Sequence, residues 1–76
     1  MDEWKELFAA YGIEVRELKN NDYHWKLIAD ESKNVYDWYH TTGTLLFNTG
    51  LGFKKFGRIK DPEDVANIIN RYEETL

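Results

Sequence analysis

Residues Val35–Asn48 read VYDWYHTTGTLLFN, two strand-like arms around a Thr41-Thr42-Gly43 turn. Three-residue hairpin loops commonly place glycine in the left-handed slot, where a Cβ would clash. The expected flanking pair is His40 and Thr44. The arms, Val35–Tyr39 and Leu45–Asn48, are rich in β-branched and aromatic residues, which suit a pleated surface. Successive strand residues point to opposite faces. Tyr36 and Trp38 therefore share one face, Val35 and Tyr39 the other. A strand that is apolar on both sides belongs in the middle of a sheet covered twice. Two helices in a 76-residue chain can hardly cover both faces. Part of this aromatic surface is then either a contact for a partner or is covered by the helices and long lysine stems.

Outward from this hairpin the pattern stays regular. Trp4, Leu7, Phe8 and Tyr11 recur at helical spacing, with Asp2 as a cap and Gly12 as the stop. Ile13–Leu18 alternates as a strand, and Lys19-Asn20-Asn21-Asp22 is a turn by composition. In Tyr23–Ala29, Tyr23, Trp25, Leu27 and Ala29 face inward, while His24, Lys26 and Ile28 face outward. Asp30–Asn34 is a second polar turn. Asp61-Pro62-Glu63-Asp64 starts a final helix, with Asp61 as N-cap and Pro62 at N1. Its stripe is Val65, Ile68, Ile69, Tyr72 and Leu76, with Asn67, Asn70, Arg71, Glu73 and Glu74 facing water. An optional strand lies near Lys55–Ile59. The expectation is one small α+β domain over residues 1–76, ordered α-β-β-β-(β)-α, with an antiparallel meander packed on two helices.

Composition bounds the function classes. A chain of this size buries about 60–65% of its unfolded surface, and aromatics at 16% raise the area buried per residue. No cysteine is present, which removes disulfides, thiolate zinc sites and thiol nucleophiles and suits a reducing compartment. No apolar run approaches membrane length and no signal peptide is legible, so a cytoplasmic, non-membrane protein is expected.

The net charge of −4 is unevenly spread. Lys54, Lys55, Arg58 and Lys60 lie in a stretch without acids, between acidic flanks. With Phe53 and Phe56 they form a basic-aromatic segment, and cations with aromatics in a glycine-rich loop suit a phosphate backbone and stacked bases. The overall acidity opposes that use. The order of elements resembles the double-stranded RNA-binding domain. That fold puts lysines at the start of its second helix, where this chain has Asp61, Glu63 and Asp64, which repel phosphate.

A second resemblance lies in the central motif. His24-Trp25-Lys26-Leu27 followed by Val35-Tyr36-Asp37-Trp38-Tyr39-His40-Thr41-Thr42-Gly43-Thr44 is similar to a pattern in many small, mostly uncharacterised phage and bacterial proteins. Those have a W-x-L strand, an aromatic strand, a Pro-Thr-Thr-Gly-Thr turn and a short C-terminal helix. The similarity spans roughly Tyr23–Ile69 and departs at His40, where the family usually has proline. It implies a phage or mobile-element setting, in which small acidic proteins often inhibit host machinery, CRISPR effectors included. It carries over no catalytic residue.

Enzymatic chemistry finds little support. Ser32, the only serine, sits in a turn with no evident base. His24 and His40 could meet on one sheet face with Asp37 nearby, but Asp37 and His40 have opposite strand parity. No catalytic residue, metal site or cofactor is expected. The leading expectation is a non-enzymatic protein, monomeric or weakly dimeric, that docks on a larger protein. Its candidate contacts are Tyr36, Asp37, Trp38, Tyr39, Glu63, Asp64 and Glu74, the acids speeding encounter with a basic partner. The alternative is a nucleic-acid-binding accessory domain using Phe53, Lys54, Lys55, Phe56, Arg58 and Lys60.

Overall fold

The computed structural model describes residues 2–18 and 21–76, apart from the side chains of Asp2, Glu17, Leu18, Asn21 and Asp22. The expected cap at Asp2 and the expected turn residues Lys19 and Asn20 lie outside what is described. Helix α1 (Asp2–Ala10) leads into strands β1 (Ile13–Leu18), β2 (Asn21–Ala29), β3 (Val35–Tyr39), β4 (Thr44–Asn48) and β5 (Phe53–Arg58), and helix α2 (Pro62–Glu74) closes the chain. The five strands form one antiparallel sheet in sequence order, so the meander is present and the optional strand is real. The fold is α+β, as the periodicities predict. No described helix is long and apolar enough to cross a membrane.

Both helices share a core with the same sheet face. Trp25 and Leu27 of β2, Tyr36 and Trp38 of β3, and Leu45 and Phe47 of β4 are buried there with Phe8 of α1 and Val65, Ala66 and Ile69 of α2. At one end Trp4 meets the rings of Trp25, Trp38 and His40 at 5.3, 5.4 and 5.3 Å between centroids. At the other, Phe47 stacks on Tyr36 at 4.9 Å, and Tyr72 meets Phe47 and Phe56 edge-on. Such tilted and offset pairs suit the ring quadrupoles.

The β3–β4 turn differs from the expected one by a residue. Tyr39 pairs with Thr44, so the loop is His40–Gly43, four residues rather than three. The amides of Thr42 and Gly43 both donate to the Tyr39 carbonyl, at 3.2 and 2.7 Å. Four-residue loops of this kind are built around a type I turn, and His40 is drawn instead into the tryptophan cluster. Gly43 does take positive φ, 84°. It is also buried against the segment after β5, and a Cβ there would lie 2.9 Å from Lys60 Cγ and 3.2 Å from the Ile59 backbone.

Helix α2 starts as expected. Asp61 Oδ1 accepts from the Glu63 amide at 2.8 Å, with Pro62 next in the chain. Its wet face is narrower than periodicity suggests. Asn70 Nδ2 donates to the Tyr11 carbonyl at 3.3 Å. Glu73 turns onto the β2–β3 connection, accepting from Ser32, from Asn34 Nδ2 at 2.9 Å and from the Tyr36 hydroxyl at 2.5 Å. Leu76, expected in the buried stripe, is exposed beyond the helix end. Burial pulls the Glu73 carboxyl up, but the three hydrogen bonds outweigh it and hold the group below its ordinary value. Burial first, then the Glu73 carboxylate, push the Tyr36 phenol well up.

Two tests follow from these contacts. Gly43→Ala should cost roughly 1–3 kcal/mol more than Gly12→Ala. Both glycines have positive φ, but a Cβ at Gly12 meets open space; equal losses in urea denaturation would contradict the close approach. Glu73→Gln should lower stability at neutral pH, because an amide cannot accept on both of its terminal atoms. A depressed folded pKa gives stability that is present above the ordinary carboxyl value of 4.5 and is lost as pH falls through the folded value. The wild-type advantage over Glu73→Gln should therefore shrink on acidification below that value; a gap that stays constant would contradict it.

Candidate functional site

The sheet face opposite the helices is open, and strand register sorts its residues into three cross-strand rows. The first runs Glu14, Ile28, Val35, Asn48, Phe53. The second runs Arg16, Lys26, Asp37, Leu46, Lys55, and the third His24, Tyr39, Thr44, Arg58. The first row thus holds three apolar residues, Ile28, Val35 and Phe53, with Glu14 and Asn48, and lies beside a mainly charged one.

Asp37 sits at the middle of this face, on the central strand, and is only 3% exposed. A buried carboxylate needs charged or donor partners. Lys26, directly opposite on β2, donates from Nζ to Asp37 Oδ1 at 3.0 Å. His24 Nε2 reaches the same oxygen at 2.8 Å. Facing an ionised carboxylate, that nitrogen must be the donor. The His24 ring stacks on Tyr39, with centroids 4.1 Å apart and planes 19° apart. The four side chains form a polar knot that holds the centre of an otherwise half-apolar face.

The sequence-derived candidates separate in space. Tyr36 and Trp38 are fully buried on the helix side, so neither is a contact surface. Even-numbered β3 residues point into the helical core, which does not extend to Tyr23: that side chain, expected inward, is 52% exposed at the end of β2. Asp37 is covered and paired, and Tyr39 is half-buried beneath its stacking with His24. Glu63, Asp64 and Glu74 are exposed on α2, which packs on the opposite face. The aromatic strand and the acidic helix therefore do not make one site. His24 and His40 do not meet either: His24 lies on the open face and His40 in the tryptophan cluster. Among the described residues no group of three or more His, Cys, Asp and Glu is placed to hold a metal ion.

The basic-aromatic segment is a paired edge strand, not a loop. Register places Phe53, Lys55 and Arg58 on the open face. Lys54 lies over the Tyr72 ring, 5.5 Å from its centroid, on the helix side, and Phe56 packs beside it. Lys60 is exposed beyond the strand. Phe53, 62% exposed, and Leu51, fully exposed in the turn before it, leave bare apolar surface at this end of the sheet. The Asp37–Lys26–His24 knot escapes one-strand reasoning because its members are 11 and 13 residues apart; only the β2–β3 register reveals it. Comparison with protein-family models, curated proteins and solved structures found no match.

Asp37→Ala should destabilise the fold by about 1–3 kcal/mol, since it strands two donors that lose their acceptor. Double-mutant cycles should give a larger coupling to His24 than to Lys26, because the Lys26 side chain is 37% exposed and that of His24 only 12%. Zero coupling to both in urea denaturation would contradict the knot.

Proposed function

We propose that this chain is a non-enzymatic binding protein that docks on a larger protein through the open face of its sheet. The observation that carries this reading is the apolar end of that face. Ile28 and Val35 lie in one cross-strand row with Phe53, beside the fully exposed Leu51. Bare apolar surface at Phe53 and Leu51, continued by the half-buried Ile28 and Val35 and set beside polar groups, has the character of a protein contact. The cations beside this apolar end are Lys55 and Arg58, whereas Lys26 is held by Asp37 and Arg16 by Glu14. The partner surface that complements it is apolar with an acidic border. The central motif's resemblance to small phage proteins directs the search toward host-defence machinery, with the chain as inhibitor of an effector such as a CRISPR nuclease.

A second reading uses the same face. Its cations, with Phe53 and Tyr39, supply the parts of a single-stranded nucleic-acid platform. Two of those parts are engaged already: Tyr39 is stacked on His24, and Lys26 is held by Asp37. The protein reading leaves both pairs intact.

The test is capture of the partner from host extract, identification by mass spectrometry, and binding with purified components. Leu51→Ser with Phe53→Ser should weaken the complex by about 100-fold or more, as loss of interface anchors does. Glu63→Lys with Glu74→Lys, on the far side, should change affinity little. Tight binding to a single-stranded oligonucleotide, lost steeply with salt and abolished by Lys55→Ala with Arg58→Ala, would replace the protein reading with the nucleic-acid one.

A further inference from the structure

The two edges of the sheet are built differently. β5 carries Lys54, Lys55 and Arg58 within six residues, and its pairing with β4 is interrupted by a register shift beside Gly57, whose φ is 113°. Edge cations and bulges are devices that oppose the addition of another strand. β1 is as highly charged, with Glu14, Arg16 and Glu17, but its charges are of both signs, so another strand can complement them instead of being repelled. It pairs with β2 in unbroken register from Ile13 to Glu17, and the irregularity enters only between Glu17 and Leu18. Its outer side is a regular edge, a template for another strand.

We propose that the β1 edge is a dimerisation site, at which a second copy of this chain adds its own β1 antiparallel across a two-fold axis. The five-stranded sheet then continues into that of the partner copy. The occupant is argued from charge complementarity. Residues opposite one another in a sheet must point to the same face, so the axis passes at a residue, and three positions are available near the strand centre. An axis at Glu14 opposes two Glu14 carboxylates. An axis at Arg16 opposes two guanidinium groups. An axis at Val15 sets Glu14 of each copy opposite Arg16 of the other, twice, with the two Val15 side chains meeting on the helix side. Opposite charges directly across a strand pair stabilise it and like charges destabilise it, so Val15 is the axis.

The monomer is prepared for this exchange. Arg16 Nε and Glu14 Oε2 pair within the strand at 2.6 Å, yet their side chains are 65% and 50% exposed. Such a pair is screened and contributes little, so exchanging it for a cross-strand pair loses little. The pairing lies at the sheet's rim and leaves the apolar end of the open face, at Phe53 on the far edge, free for the partner argued above.

Sedimentation over a concentration series tests the proposal. The wild type should shift from the 9.1 kDa chain toward twice that mass. Glu14→Arg puts arginine opposite arginine, and Arg16→Glu puts glutamate opposite glutamate. Each should raise the concentration needed for dimerisation by about 10-fold or more. An equimolar mixture of the two variants should dimerise again, because arginines at 14 and 16 of one chain then face glutamates at 16 and 14 of the other. Both positions are exposed, and circular dichroism checks that each variant keeps its fold. A wild type that is monomeric at about 1 mM, the weak end of measurable association, overturns the proposal. So does a dimer indifferent to both changes, or a mixture that fails to recover.

Discussion

The structure depends on one close approach, that of the segment after β5 to the β3–β4 turn. The Trp38 indole donates to the Ile59 carbonyl at 2.9 Å, and the Ile59 amide donates to the Gly43 carbonyl at 2.7 Å. These two bonds join the central strand, its turn and the connection to α2. They work only because Gly43 has no side chain, since a Cβ there would press on Lys60 and Ile59. The Trp38 N–H is thereby satisfied in the core, which is the condition for burying a tryptophan fully. This contact fixes α2 at its start and Glu73 fixes it near its end, on the sheet face that α1 covers through Trp4 and Phe8, and no described helix lies on the other face.

That asymmetry shapes the chemistry of the molecule. The helix side takes most of the large aromatic rings and buries those at its centre, with Tyr23 exposed at the margin. The open side keeps a partly apolar row, a mainly charged row and a carboxylate that is almost fully buried. Asp37 is tolerated there because Lys26 and His24 both converge on one of its oxygens. Acidic groups gather elsewhere, on α2 and around a cleft of about 520 Å³ that Asp30, Glu31, Glu73 and Glu74 line with Tyr11 and Asn70. The cationic end of the open face and the acidic helix are therefore separate surfaces, and the docking reading uses the first.

Local chemistry and the antiparallel meander were legible in the sequence, and cross-strand register and tertiary contacts were not. The positive φ of Gly43, the Asp61-Pro62 start of α2, the stop at Gly12 and the in-out alternation of Trp25 and Leu27 all follow from properties of single residues or their near neighbours. The misreadings have another source. Tyr36 and Trp38 seemed available because strand parity says which residues share a face but not which face the helices choose. Glu73 and Asn70 seemed solvated because helical periodicity cannot see the β2–β3 turn or the end of α1 arriving beside them. The turn register slipped by one because His40 is pulled into the Trp4 cluster, a tertiary contact. For the candidate site, the residue types on β2 and β3 were visible, while the Asp37 knot required knowing that Lys26 stands opposite Asp37.

The central claim is that one sheet face is covered by the helices and the other open. Solvent paramagnetic relaxation measured by NMR tests it most directly, using a soluble gadolinium chelate and methyl-labelled protein. The account predicts strong broadening of the Ile28, Val35 and Leu46 methyl signals, with Leu27, Leu45 and Ile69 left nearly untouched. Equal broadening of the two sets, or protection of Ile28, Val35 and Leu46, would contradict it.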